Sequence, residues 1–416
     1  MSNQSVIPPW EELLEKSKNK TNVKWEIRAG QTPSNVAISS YFNCHSYEGK
    51  PQVLLYRDTN AWCPFCERVW LALEEKQIPF EVELIDLRNK PKWYTDLVPT
   101  GLVPAVKIDG ELVYESKSIL LSLEENFTKH GLLPEDKQEK EIALEMIEAC
   151  EKGNFSRAGY QFLLGKPLNS TIEDLSEKEL IAELQENFET QLNQLEKALE
   201  KYPSDYFMRD FGLVDIMYIP SIERLAANLP TFRGYHLLGN EKYPLLNRWL
   251  KAMNKRPNYQ RIKSDARTHN LVMKNVFKLE PLSQELQVME DEQENNSQQD
   301  RLEAAAKLSD NHENVVQDIL KNSGIKSWIT DENLEQVEEY INLYMRFLAN
   351  QLLQNYPIPL ADEQLMKNNE IAVIGAVSLS YIRNRVCVPR DLTAGAASQF
   401  KEAIDKILKC LYSSAF

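Results

Sequence analysis

The stretch that decides the fold is Ala61–Leu71, "AWCPFCERVWL". Cys63 and Cys66 flank Pro64 and Phe65, and they stand where an apolar run ends and a helix-forming run begins. "QVLLYRD" (52–58) reads as a buried β-strand. After the cysteines, Val69, Ala72, Leu73 and Lys76 recur at the spacing of a helix face. A zinc clip, a structural bridge and a nucleophile are the three uses such a dithiol can have.

Working outward, "FEVELIDL" (80–87) alternates Phe80, Val82 and Leu84 as a strand does. Strand, helix and strand together have the size of a βαβ unit. "AVKI" and "ELVY" are two further strands joined by Asp109-Gly110, a pair that closes tight hairpins. Ser116 then opens a helix with Ile119, Leu120, Leu123 and Phe127 inward, its hydroxyl suited to cap the first amides. The order β-α-β-α-β-β-α is the ground plan of a thioredoxin-like α/β domain, placed at 51–130.

Beyond it the pattern is helical. In "LIAELQENFETQLNQLEKALEKY", Ile181, Leu184, Phe188, Leu192, Leu195 and Leu199 form one stripe. An all-α domain is expected over 135–281 and an acidic linker over 282–309, because "SQELQVMEDEQENNSQQD" has few large apolar groups. A small helical domain follows at 310–416. There Val337, Ile341, Tyr344, Leu348 and Leu352 line up, as do Ala397, Phe400, Ile404, Ile407 and Leu411. Asp391 is the expected cap of that last helix. Residues 1–50 form an N-terminal extension in which "PPWEELLEKSKNK" has the spacing of one short helix.

Bulk properties narrow the function. A chain of 416 residues is too long for one ordinary core. A net charge of −14 argues against a nucleic-acid binder, whose phosphate contacts need a basic face, and disfavours anionic membranes. No stretch approaches the ~18 apolar residues of a membrane span. The start has neither a signal-peptide core nor an Arg-rich transit pattern, so a cytoplasmic location is expected. The six cysteines, Cys44, Cys63, Cys66, Cys150, Cys387 and Cys410, are too scattered for a disulfide framework, which fits a reducing compartment.

The dithiol can now be weighed. Zinc takes about four ligands, whereas the other cysteines are isolated and the five histidines lack paired spacing; no metal is expected. Two inert core cysteines are the default for an arbitrary CxxC. The strand–helix junction changes the balance, since unpaired backbone N–H groups and the helix dipole favour an anion there. A thiol so placed ionises more easily, and the thiolate is the nucleophile. Pro64 suits the first helical turn.

Two more motifs sit in register with it. "GLVPAV" puts Pro104 at the start of a strand. A cis Val103–Pro104 bond would offer the Val103 backbone to a peptide-like ligand, although a trans proline opening the strand is commoner for such a motif alone. "YESKS" places Glu115 and Ser116 at a helix N-terminus, a ready site for a carboxylate, or a simple cap.

Taken together, these motifs resemble a glutathione transferase. Residues 52–127 resemble the glutathione-binding half, and "KPKWYTDLVPTGLVPAVKIDGELVYESKSI" is similar to the cysteine-containing omega and lambda type branch. Residues 135–280 resemble the helical half. "WCPFC" with a long helical extension most resembles the iota class of photosynthetic organisms. The resemblance implies Cys63 as catalytic cysteine and Phe65 as donor of a nearby backbone N–H. It implies Lys90 at the glycine carboxylate of glutathione, Val103 with a cis Pro104 at its cysteinyl part, and Glu115 with Ser116 at its γ-glutamyl end. Two departures stand out: Cys66 replaces an alanine or serine, and Gly212 stands where the family caps a helix with Ser or Thr, three residues before Asp215.

The activity expected is glutathione-dependent thiol transfer through a Cys63 thiolate, resolved by glutathione or Cys66, on mixed disulfides or glutathionylated small molecules; dehydroascorbate reduction is a further candidate. Glutathione is the cosubstrate, and the protein is expected to be a monomer or homodimer. One alternative is a glutathione-conjugating detoxification transferase. Another is a ligand-binding scaffold using the C-terminal domain, where Arg383, Arg385 and Arg390 cluster. Phe155, Arg157 and Tyr160 are candidate acceptor-pocket residues, aromatics at such spacing being more often core.

Overall fold

The structure is a computed structural model that describes residues 7–19, 53–167, 176–283, 297–354 and 369–414. Cys44 and most of the N-terminal extension lie outside the described residues. The chain divides into two compact units, one formed by the middle of the chain and the other by its two ends.

The first unit begins with β1 (Val53–Asp58), α2 (Pro64–Glu75), β2 (Phe80–Ile85), α3 (Lys92–Leu97), β3 (Ala105–Ile108), β4 (Glu111–Tyr114) and α4 (Ser116–Asn126). This is the expected order. The sheet runs β2-β1-β3-β4, with β1 and β2 parallel and the β1–β3 and β3–β4 pairs antiparallel. Asp109 and Gly110 both take positive φ, 49° and 89°, as the tight turn between β3 and β4 requires. Alternation along β1 separates the faces: Leu54 and Tyr56 meet α3 through Tyr94, Leu97 and Val98, while Arg57 on the other face lies over the Trp70 ring of α2.

Among the described residues, seven helices complete this unit: α5 (Lys137–Glu151), α6 (Asn154–Leu164), α7 (Glu177–Glu200), α8 (Leu213–Arg233), α9 (Pro244–Asn254), α10 (Pro257–Ile262) and α11 (Ala266–Asn275). The α7 stripe is buried from Leu184 to Leu199, with Ile181 half-buried at its start. Gly212 precedes α8 because a Cβ there would stand 2.5 Å from the Leu132 carbonyl oxygen. Leu213 donates its backbone N–H to that oxygen at 2.8 Å, so the missing Ser or Thr hydroxyl is the consequence of a close backbone approach.

In the second unit, α12 (Ser297–Asp310), α13 (His312–Asn322), α14 (Leu334–Gln354), α15 (Asn369–Arg385) and α16 (Ala394–Ser414) gather around one core. All the stripe residues expected in α14 and α16 are buried in it. Three features differ from expectation. Residues 297–309, expected as linker, form most of α12, which buries Leu302, Ala304, Ala305 and Leu308 in the core. Helix α1 (Trp10–Asn19) belongs to this unit: Leu13 is fully buried in the same core and Trp10 stacks on His312 at 4.5 Å. The last helix is capped by Thr393, whose Oγ1 accepts from Ala396 N at 3.3 Å. Asp391 instead accepts from Cys387 N. No helix among the described residues is long and apolar enough to cross a membrane.

Candidate active site

Sheet register brings the quoted motifs to one end of the first unit. β1 ends at Asp58, a short turn follows, and Cys63 is the N-cap of α2 with Pro64 at its first position. Ala105 pairs with Tyr56 and with Tyr114. Pro104 and Val103, and on the next strand Glu115 and Ser116, therefore continue past the end where α2 starts. The Val103–Pro104 bond is cis. Lys90 reaches the same loop, its Nζ donating to the Gly101 carbonyl at 2.8 Å, and the Tyr94 hydroxyl donates to the Leu102 carbonyl at 2.6 Å.

Cys63 is half-buried, Cys66 is buried, and both are free thiols. No side chain caps α2, so the donors near its start remain for the sulfur. The Cys66 thiol, foremost, and then the backbone N–H groups of Cys66 and Phe65 donate to the Cys63 sulfur and lower its pKa, against burial and the Asp58 charge. Burial, the hydrogen bond to Cys63 and the charges of Cys63 and Asp58 push the Cys66 thiol well up. The dipole argument alone misses this ordering, because the second cysteine lowers the first more than the backbone does.

Ser116 is the first residue of α4 and not its cap; Glu115 holds that position with φ 69°, a conformation few non-glycine residues adopt. The Ser116 hydroxyl is buried and accepts from Arg68 Nη1 at 3.3 Å. Arg68 ties this point to the helical half, donating also to the Met217 carbonyl and to Glu151. Glu115 is exposed. Exposed apolar side chains stand next to these residues in the chain: Phe65 at 48%, Leu102 at 56% and Tyr114 at 36%. Such a rim is typical of a binding groove.

The three acceptor candidates separate. Phe155 is buried against Phe188 and Tyr218 and is core. Arg157 is exposed. Tyr160 lies close enough to Arg224, Glu67 and Cys63 to feel their charges, and burial raises its pKa. Arg383 and Arg390 each clasp a carboxylate with two hydrogen bonds, to Asp405 and Asp391, and Arg385 pairs with Asp318 at 3.3 Å. That cluster grips its own protein, which removes the feature behind the ligand-scaffold alternative.

Sequence reading missed the residue that holds the cysteine turn. Arg224 in α8 donates to the Trp62 carbonyl from Nε at 3.1 Å and Nη2 at 2.6 Å, and to Glu67 from Nη1 at 2.6 Å. The signal was present as an acid–base pair, Glu223-Arg224, in the middle of a largely apolar helix. Its neighbour Glu223 accepts from Tyr259 and Ser264 and shares a hydrogen bond with His269. A cavity of about 50 Å³ beside these groups thus has a satisfied polar wall.

Comparison with known proteins agrees with this geometry. Residues 62–126 match the glutathione S-transferase N-terminal domain and residues 178–252 the corresponding C-terminal domain. The chain is 30% identical to "Protein IN2-1 homolog A" of Oryza sativa subsp. japonica over 49% of this chain and 78% of that protein. It is 30% identical to "Glutathione S-transferase L3" of Arabidopsis thaliana, over 53% of this chain and 86% of that one. "Glutathione S-transferase DHAR2" of the same plant is also 30% identical, over 49% and 84%. The chain belongs to the glutathione S-transferase family, as an enzyme of the glutathione transferase type.

Proposed function

We propose that this is a cysteine-type glutathione transferase, akin to the omega, lambda and iota classes, that moves glutathionyl groups by thiol–disulfide exchange in a reducing cytoplasm. One observation carries the reading: a partly buried cysteine at the start of α2 whose sulfur accepts from the Cys66 thiol and the backbone amides of Cys66 and Phe65, an arrangement that lowers its pKa.

The Cys63 thiolate attacks the glutathione sulfur of a mixed disulfide. A Cys63–glutathione disulfide forms, the old S–S bond breaks, and the acceptor leaves as a thiolate that takes a proton from solvent. A second glutathione then displaces the bound one as oxidised glutathione, or Cys66 displaces it and a Cys63–Cys66 disulfide results. The Cys66 route requires that the buried thiol lose its proton, so it is the slower one unless a base takes that proton. In this reading the Phe65 amide steadies the thiolate, Lys90 meets the glycine carboxylate, and Val103 with cis Pro104 pairs with the cysteinyl backbone. Glu115 and Ser116 hold the γ-glutamyl end, and Tyr160 faces the acceptor.

Intact mass after incubation with oxidised glutathione tests the proposal. One added glutathionyl group is expected in the wild type, none on Cys63→Ser, and a longer-lived adduct on Cys66→Ser. Turnover of a glutathionylated substrate falls by about 10²–10³-fold or more in Cys63→Ser. Full activity in that variant overturns the reading, and turnover of a chlorinated aromatic acceptor with none of mixed disulfides marks a conjugating enzyme instead.

A further inference from the structure

The thiol pair has a third partner that thiol transfer does not use. A carboxylate oxygen of Asp58 and the sulfurs of Cys63 and Cys66 all lie within 4.8 Å of one another. Asp58 is fully buried and Cys66 nearly so, which sets this group apart from the exposed acids that crowd any acidic surface.

We propose that Asp58 and the reduced Cys63–Cys66 dithiol form a three-ligand site for a thiophilic divalent cation of the zinc class, and that filling it takes Cys63 out of thiol transfer. Two thiolates and a carboxylate are a donor set that zinc accepts. With bonds of about 2.3 Å to sulfur and about 2.0–2.2 Å to oxygen, tetrahedral ligands stand roughly 3.5–3.8 Å apart. Closing the triangle therefore asks for side-chain shifts of about 1 Å, within reach of thiol rotation.

The carboxylate is already aimed. Asp58 Oδ2 accepts from Trp62 N at 3.0 Å and Oδ1 from Cys63 N at 3.4 Å. Each oxygen keeps a further lone pair, and such hydrogen bonds are what orient a ligand carboxylate. Charge balances as well. Three anionic ligands around a dication leave one negative charge, and the buried Arg57 guanidinium interacts with both Asp58 and Cys66. Binding forms two metal–sulfur bonds and releases to solvent whatever protons the two thiols still hold. Because Cys63 is only partly buried, the fourth position is left to water or a small thiol, as in reactive zinc sites and unlike closed structural ones.

Ion binding rests on the donors alone; only its inhibitory effect rests on Cys63 being the nucleophile. The test is a zinc titration of the reduced full chain against a chromophoric chelator. We expect one ion per chain, no binding in Cys63→Ser or Cys66→Ser, and affinity at least about tenfold weaker in Asp58→Asn. X-ray absorption on the zinc-loaded wild type needs no variant, and should report sulfur near about 2.3 Å with an oxygen shell near about 2.0 Å. No stoichiometric binding, an all-sulfur shell from an ion bridging two chains, a shell without sulfur, or unchanged affinity in Asp58→Asn each overturns the site. Zinc bound as described with thiol transfer unimpaired overturns the inhibition. Thiol transfer surviving in Cys63→Ser, with zinc binding intact in the wild type, sinks the function and leaves the site standing.

Discussion

Two helix starts in the first unit meet the same physical demand in opposite ways. Both α2 and α8 expose backbone N–H groups and the positive end of a helix dipole. At α8 the demand is met internally: the buried Asp215 carboxylate accepts from Gly212 N at 2.9 Å, Phe207 N at 3.2 Å and the Trp249 indole at 2.7 Å. At α2 the Asp58 carboxylate takes the amides of Trp62 and Cys63, but the amides inside the first turn, those of Phe65 and Cys66, converge on the partly buried Cys63 sulfur. A sealed start is a clamp; an open one is a reagent.

The largest effect within this comparison comes from unsealing α8. Asp215→Ala leaves three buried donors without their acceptor, at a cost of about 1–3 kcal/mol for each such group before relaxation. We expect a loss of about 3 kcal/mol overall, read as a lower urea midpoint, with the Cys63 pKa unchanged in the folded protein. A shift in that pKa would show that the two starts are coupled. The smaller effect comes from impoverishing α2. Cys66→Ala removes the donor that lowers Cys63 most. The Cys63 pKa therefore rises, the acid limb of the alkylation profile moves to higher pH, and reactivity at neutral pH falls by about tenfold for each pKa unit gained. An unmoved profile would assign the lowering to the backbone amides alone.

The sequence made the open start legible and left much of its support hidden, for a physical reason. Periodicity and turn chemistry are local, so β1, the Asp109-Gly110 hairpin and the stripes of α7, α14 and α16 could be read directly. Helix α12 could not, because three alanines and only Leu302 and Leu308 make up its buried apolar face, and its inward acid, Glu303, looks like linker until it accepts from Thr393 N at 3.0 Å and Thr393 Oγ1 at 2.6 Å. The grip of Arg224 on Trp62 spans 162 residues, and the acids that pair with Arg383 and Arg385 also lie far along the chain. Phe155 shows the same limit from the other side: its spacing already favoured core over an acceptor pocket, and only the packing against Phe188 and Tyr218 decides between them.

Glu67 joins the two helices and offers the finest test. It sits in the first turn of α2, where a dipole favours a carboxylate, and it faces Arg224 of α8. Burial, the largest influence, and the Glu223 charge nevertheless push its carboxyl up to about 8 against the pull of Arg224. The folded chain then holds a proton that the unfolded chain has released above about 4.3. Stability contributed by this proton is complete at low pH and is lost as pH rises through about 8. Glu67→Gln keeps an oxygen for Arg224 and removes the titration. The wild type should therefore lose stability relative to Glu67→Gln between roughly pH 5 and 8, by at most about 1.4 kcal/mol per pH unit. A flat difference in thermal midpoints across that range would mean that Glu67 is ionised throughout, so that α2 and α8 are joined by a plain ion pair and the open helix start carries a negative charge one turn below its sulfur.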